Sequence, residues 1–554
     1  MFFSGILSSR GPSPSPVRAW LVLCAMSLLQ FFIAVDVTVV NIALPSIGAA
    51  FDVDGHALTW VVVAYTVTGG GLLMLGGRLA DLLGRRRVLL LGTGLFGAAS
   101  LLAGLAPCFG LLVAARLLQG AGEAVALPAA MATIVLLFPE GPCRSRALSV
   151  WAAVASGGLV LGFALSGVIT AHWGWRWIFL IAVPFVVIVL VAALLLVGRD
   201  RPAAAGRPSL DLPGALLLTA CPLLFAYGVV QAGGSGRPGW LVPCVLAGAV
   251  AAGAGFVRVE ARSRDPLLPP RFFAHRARVS ANLTTMLLSG GLSTSFLLFT
   301  FHLQDRMGIG PLGAGLLMLP LAVALIAFAT FVPRLLGRWG ARACVLAGLG
   351  FTAAAMAAIA LVSSLRAGGA AMIPAMLLIA AGMGFGLVGL QYVAVSGVTD
   401  ADAGIASGVQ RAADQLGGAT GVAICVGIGF APDLHPFDPF LAATALAATG
   451  LVAGGVVAWR MPVNPPPTQT PTKRTTGRAE GTGSLLMTGD VADRTGRATS
   501  PRGSQCCRRN LRGLSALSTA LPRGDFPPEG RPSPRPSSTT RTNDRAGAGS
   551  LSTR

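Results

Sequence analysis

The feature that most constrains this chain is a succession of apolar runs, each long enough for a helix to cross a bilayer and most closed by Gly, Pro or Arg. A helix spans the hydrocarbon core in about 20 residues because it satisfies its own backbone hydrogen bonds where water is absent. Hydrophobic residues make up 54% of the chain against 12% charged, and the mean hydropathy is +0.71. No soluble core of this length requires that balance. Strand-period alternation is absent, so a membrane barrel is excluded and the expected fold class is an all-α, polytopic membrane protein. Fourteen runs are legible, roughly 19–45, 57–77, 87–106, 109–137, 147–170, 175–197, 212–231, 240–258, 280–303, 312–333, 342–362, 371–396, 403–429 and 438–459.

An even number of spans puts both termini on one side, and the distribution of arginines tests that count independently. Alternate connecting segments carry twenty arginines, among them Arg18, Arg78, Arg85, Arg86, Arg87, Arg144, Arg146, Arg334 and Arg338. The opposite segments carry four, Arg176, Arg237, Arg306 and Arg366. The Arg-rich side is therefore read as cytoplasmic, with both termini there and the chain in the cell membrane. Residues 1–18 form a short cytoplasmic start with Arg10 and Arg18 before a long apolar helix and no convincing cleavage site, which reads as a retained helix rather than a signal peptide.

The remaining boundaries follow from composition. Residues 19–197 hold six runs and 280–460 hold six more. Between them, 212–258 carries two runs with little charge and no motif, as an inserted hairpin would, followed by a cytoplasmic loop over 259–279. GGRLADLLGRRR (76–87), read as the loop after the second run, has a faint echo in PRLLGRWGAR (333–342), the loop after the second run of the second half. Such repeats build transporters whose halves rock about a central site. Beyond 460 the chain turns to Pro, Ser, Thr, Gly and Arg, and 461–554 reads as a disordered basic tail. That tail holds 15 Lys/Arg against 6 Asp/Glu, so much of the +20 net charge lies there and gives no argument for nucleic acid. Nine scattered cysteines and five unclustered histidines support no disulfide framework, metal site or catalytic triad. Trp173, Trp175 and Trp177 read as interfacial anchors.

Five charged residues fall well inside the runs: Asp36, Arg116, Glu123, Arg411 and Asp414. A carboxylate at bilayer depth either takes a proton or finds a cation, because losing its hydration costs several kcal/mol. Asp36 lies about 24 Å along the first helix from the cytoplasmic side, and Arg116 about 10 Å down the fourth from the other side, at 1.5 Å per residue. The two reach a similar level and are expected to pair, with separation letting Asp36 take a proton; a fixed ion pair that only sets packing is the structural alternative. Glu123, seven residues beyond Arg116 on nearly the same face, has two open readings. It attracts a cation or proton, or it is satisfied by Arg116 or a polar neighbour. Arg411 and Asp414, spaced i, i+3, are expected to form a local structural ion pair.

Several motifs occur in order: ALPSI after Asp36, GGRLADLLGRRRV (76–88), RLLQGAGEAVALPAA (116–130), WGWRWIFLIAVP (173–184), LQDRMGIGPLGAGLLMLP (303–320) and GIASGVQRAADQLGGATGVA (404–423). Together, over roughly 19–460, they resemble the major facilitator superfamily in its fourteen-helix drug:proton antiporter branch. The resemblance implies two six-helix bundles plus a two-helix insert. It implies that Asp36 and Arg116 serve proton coupling, with Gln119 and Gly120 in the same fourth-span motif. It also implies that Gly77, Asp81, Gly84, Arg85 and Arg86 clamp the cytoplasmic side, the glycines by close approach and a sharp turn, Asp81 by a salt bridge or cap, and the arginines at the inner leaflet. Gly158, Gly162 and Gly167 keep the fifth span's small helix-contact positions. The sequence departs from the family at Leu82, where Arg is usual, at Phe163, where Pro is usual, at Ser166, where Gly is usual, and at Asp414, where a basic or polar residue is expected.

The implied activity is proton-coupled export of small amphipathic or lipophilic compounds, as in drug or antibiotic efflux, by alternating access. The alternatives are a proton-coupled importer or metabolite facilitator of the same fold, or a membrane sensor or scaffold without transport. No enzyme activity, cofactor or metal is expected, the proton gradient being the energy source. The expected partners are a small-molecule substrate, protons and the lipid bilayer, acting on a monomer.

Overall fold

The computed structural model describes residues 16–138, 141–198, 211–232, 238–263, 266–268, 274–366, 368–396, 403–429 and 438–461. The basic tail beyond 461 and the first 15 residues lie outside them, and so does the reading of the tail as disordered. The described residues of the first half form α1 (Pro16–Phe51), α2 (Gly55–Leu83), α3 (Arg85–Gly104), α4 (Phe109–Leu137), α5 (Pro142–His172), α6 (Trp177–Leu180) and α7 (Ala182–Leu196). Then come α8 (Leu212–Ala232) and α9 (Leu241–Arg262), followed by α10 (Arg276–Phe301), α11 (Pro311–Leu317), α12 (Leu319–Trp339), α13 (Ala341–Ser364), α14 (Ile373–Val395), α15 (Ala403–Gly429) and α16 (Pro439–Trp459). Among the described residues there is no strand. Thirteen stretches are long and apolar enough to cross a membrane. To these α15 adds a helix of 27 residues whose apolar character is diluted by Gln410, Arg411, Asp414 and Gln415. The protein is a multi-pass, all-α membrane protein.

Two stretches read as loops are largely helix. In GGRLADLLGRRR only Gly84 leaves the helix, at φ 92°, ending α2 and starting α3. No residue before it breaks a helix, so Arg78 and Asp81 lie on the last turns of α2. The echo in the second half behaves the same way: α12 runs through Pro333 to Trp339, and Gly340 alone, at φ 79°, joins it to α13. A positive φ crowds the Cβ of other residues, which accounts for glycine at both joints. The segment 259–279 is also helical at both ends, in α9 and α10. Glu260 there accepts the backbone amides of Leu267 and Leu268, each at 3.2 Å.

Within the first half α4 packs against α2 and α3, and α5 against α1; in the second, α13 packs on α14 and α10 on α15. The halves meet along two seams, α2 with α15 and α5 with α11, and the α8–α9 hairpin covers the first seam by laying α8 on both α2 and α15. The apolar packing is asymmetric along these seams. One core contains Ile42, Ile47, Leu58 and Phe179 of the first half together with Phe299, Phe301, Leu303 and Met318 of the second. The helical ones lie toward the Arg-poor ends of their helices, Leu303 just after α10, and Met318 at the joint between α11 and α12. Toward the Arg-rich ends, Leu23, Met26, Leu89 and Ile134 belong to a core of the first half alone. Val332, Cys344, Ala381 and Phe385 form one of the second half alone. Gln304 Nε2 also donates to the Ile42 carbonyl at 2.8 Å, tying the halves on the Arg-poor side. Trp175 belongs to this shared core at 6% exposure, its ring tilted against Phe51 with centroids 5.4 Å apart, rather than to an interfacial belt; Trp173 and Trp177 are exposed.

Candidate functional site: a central cavity between two ion pairs

Between the halves lies a cavity of about 230 Å3 lined from both sides, by α1, α2, α4 and α5 of the first half and α10, α12, α14 and α15 of the second. Arg116 forms part of its wall, fully buried on α4. Its Nη1 donates to Asp36 Oδ2 at 2.6 Å and to Gln119 Oε1 at 3.0 Å, and its Nε donates to the Val61 carbonyl at 2.8 Å. The guanidinium lies 4.2 Å above the Tyr65 ring, a further favourable contact for a desolvated cation. Gln119 Nε2 in turn donates to Ser100 Oγ at 2.8 Å and to Asp36 Oδ1 at 3.3 Å. Asp36 and Gln119 are buried. This is a buried charge pair with its geometry set from four helices, α1, α2, α3 and α4.

Glu123, about two turns deeper on α4, does not reach back to Arg116. It faces the other half: Arg411 Nη2 lies 3.3 Å from its Oε1, and Gln415 Nε2 donates to the same oxygen at 2.9 Å. Arg411 thus makes its close contact with Glu123, while Asp414, one turn along the same helix, stays within its electrostatic reach. Helical spacing permits the expected pair with Asp414, but Glu123 is fully buried and offers Arg411 a carboxylate with no other cation. Asp414 instead accepts from Ser289 Oγ on α10 at 2.5 Å. Among the described residues, the other oxygen of Glu123 and the Tyr65 hydroxyl have no hydrogen-bond partner.

The remaining predicted residues fall into two groups. Gly120 packs into α2, where a Cβ would run into Thr68 and the Tyr65 carbonyl. On α5, Gly158 and Gly162 sit against α1, and Gly167 closes on α11, where a Cβ would stand 2.7 Å from the Pro311 carbonyl and 3.2 Å from the Cα of Gly315. The clamp residues depart from expectation. A Cβ on Gly77 would meet nothing closer than Pro128 at 3.9 Å; the close approach to α4 is made by its neighbour Gly76, against the Ala124 carbonyl. Asp81 is exposed and makes neither salt bridge nor cap among the described residues, because α2 continues past it. Arg85 lies on the first turn of α3, and Arg86 turns into the protein to donate to the Leu194 carbonyl of α7 at 2.6 Å. Phe163, in place of the usual Pro, lets α5 run unbroken for 31 residues and packs against Phe296 of the other half. Ser166, in place of the usual Gly, is buried and its hydroxyl donates to the Val39 carbonyl of α1. Sequence reasoning missed Tyr65, Ser100, Ser289 and Gln415. Only Gln415 carried a signal, one turn beyond Arg411 on the same helix face.

The sequence pattern of the Major Facilitator Superfamily matches residues 26–422. The chain belongs to that superfamily. A lincomycin resistance protein of Streptomyces lincolnensis is 52% identical over 77% of this chain and 88% of that protein. A cephamycin export protein of Amycolatopsis lactamdurans is 37% identical over 75% of this chain and 86% of its own length. Among solved structures, a POT family transporter, PepTSo, superposes with a TM-score of 0.60 over 80% of this chain and 98% of that one. Its identity is 14%, so that likeness speaks for the fold alone. This superfamily member thus places two ion pairs beside a cavity shared by its halves.

Proposed function

We propose that the protein is a proton-coupled exporter of small amphipathic or lipophilic antibiotics or related compounds, working by alternating access in the cell membrane with both termini cytoplasmic. The observation that carries the reading is the buried Asp36–Arg116 pair on the wall of a cavity that both halves line. Relatives named for lincomycin resistance and cephamycin export support efflux as the direction and antibiotics as the cargo class. The twenty-to-four distribution of arginines supports the orientation, so the more extensive apolar contact between the halves lies on the outside, with the smaller contact of Met74 on Ala406 and Val409 on the cytoplasmic side.

Asp36 exchanges Arg116 for a proton when substrate or rocking separates the pair, and Glu123 takes a second proton when Arg411 and Gln415 move away with the other half. Each conversion biases the equilibrium between the two access states, which is what coupling requires. The proton gradient is the only energy source, the reaction is transport rather than catalysis, and one chain suffices because the cavity lies within it. Everted vesicles test this directly. Imposing an acid interior is expected to drive accumulation of a lincosamide such as lincomycin, and collapsing the gradient to release it; accumulation only with an acid exterior would indicate import and overturn the reading.

A further inference from the structure

At its Arg-rich end the seam between α2 and α15 is crossed by a third piece of chain. Residues 266–268 follow the α8–α9 hairpin, and their backbone is held from two sides. The buried Glu260, on the last turn of α9, accepts the Leu267 amide at one carboxylate oxygen and the Leu268 amide at the other, each at 3.2 Å. Arg78, near the end of α2, donates from Nη2 to the Pro266 carbonyl. Bonds to an ionised group are stronger than neutral ones, and one carboxylate taking two successive amides fixes the direction of the chain.

Held this way, the two leucines meet different elements. Leu267 is buried with Leu75 of α2 and Ala215 of α8. Leu268 packs with Ala406 and Val409 of α15, beside Met74 of α2. Direct contact between the halves at this end centres on Met74, which lies so close to α15 that a Cβ on Gly408 would run into its Cε. The three residues thus touch the first half, the hairpin and the second half at once.

We propose that residues 266–268 are a strap that holds the cytoplasmic ends of α2 and α15 together, and that Glu260 is its positioning residue. The proposal rests on reading the cavity as alternately accessible, with the Arg-rich side cytoplasmic. Opening toward the cytoplasm pulls Ala406 and Val409 away from Leu268, while Glu260 and Arg78 keep the strap on the hairpin and α2. The grip favours the closed cytoplasmic end and so sets how often the cavity opens to that side. It also gives a role to the α8–α9 hairpin, which carries the acid that aims the strap.

The test measures access to the cavity rather than transport. The full chain, with its nine cysteines replaced by alanine, carries one reporter substitution on the cavity wall, Ser293→Cys. Alkylation by a membrane-impermeant maleimide is timed in everted vesicles, which present the cytoplasmic face, and in right-side-out vesicles, which present the other. Glu260→Gln leaves one acceptor oxygen for two amides, and Leu268→Ser removes the apolar contact with α15. Each is expected to speed alkylation from the cytoplasmic face about fivefold or more, with no rise from the outer face. For either variant, an unchanged cytoplasmic rate, or a rate raised equally from both faces as general loosening would give, overturns the proposal. Acid-driven accumulation of lincomycin is scored separately in everted vesicles. Faster cytoplasmic alkylation in a protein that accumulates no lincomycin would defeat the export reading and leave the strap standing. Accumulation with unchanged alkylation would defeat the strap alone.

Discussion

At the scale of single residues, the two ion pairs differ in what their loss should do. Removing one member of the Asp36–Arg116 pair leaves a charge buried without its partner. Arg116→Gln is therefore expected to destabilise the protein by about 3–5 kcal/mol, with Asp36→Asn added to it recovering much of that loss. Thermal unfolding of the purified chain reads both. The Glu123–Arg411 pair should show a double-mutant coupling of no more than about 1 kcal/mol, because the Arg411 side chain is 43% exposed and solvent screens it. Its effect should appear in transport instead: Glu123→Gln is expected to cut gradient-driven efflux more than tenfold while shifting the unfolding temperature little. Asp36 and Arg116 were legible in sequence because charges are conspicuous in apolar runs and helix rise fixes their depth. The partner of Arg411 was not, since spacing along one helix cannot reveal a contact made 288 residues away in the other half.

At the scale of elements, the joints and caps carry the testable content. Gly84 and Gly340 each hold a positive φ as the sole residue between two helices, so Gly84→Ala or Gly340→Ala should cost about 1–2 kcal/mol and lower the unfolding temperature. The recurrence of this joint in both halves is the internal repeat that the sequence showed only as scattered Gly and Arg. Helix ends were misjudged there because leucine and arginine prolong a helix as readily as they follow one. On the Arg-poor side, Arg306 Nη2 pairs with Asp438 at 2.5 Å, tying the segment after α10 to the start of α16. Burial raises the Asp438 carboxyl, but hydrogen bonds from Arg306 and the Phe440 amide outweigh it and hold the group below the usual carboxylate range. A lowered native value stabilises above the unfolded value of about 3.9 and is lost as pH falls through the native one. The stability difference between the native protein and Asp438→Asn should thus be present at pH 6, begin to fall as pH drops through about 4, and be gone only below the lowered native value. After screening it should be no more than about 0.5 kcal/mol, since Asp438 is 44% exposed. Unfolding temperatures measured across that range check the sign.

At the scale of the whole molecule, the large apolar core shared on the Arg-poor side contrasts with the mostly separate cores on the Arg-rich side, where Met74 of α2 packs on Ala406 and Val409 of α15, and the cavity lies between the two halves. The number of spans, the two halves and the inserted hairpin were readable because bilayer thickness and arginine placement leave little freedom. Which way the halves lean, and which acid faces which cation, depends on packing between distant helices and left no local trace in the chain. The coupling itself reduces to whether one buried acid must exchange its guanidinium partner for a proton in every cycle. Reconstituted into everted vesicles with an imposed acid interior, Asp36→Asn should bind substrate and let it equilibrate but fail to concentrate it. Uphill accumulation by that variant at the native rate, still following the pH gradient, would contradict the account.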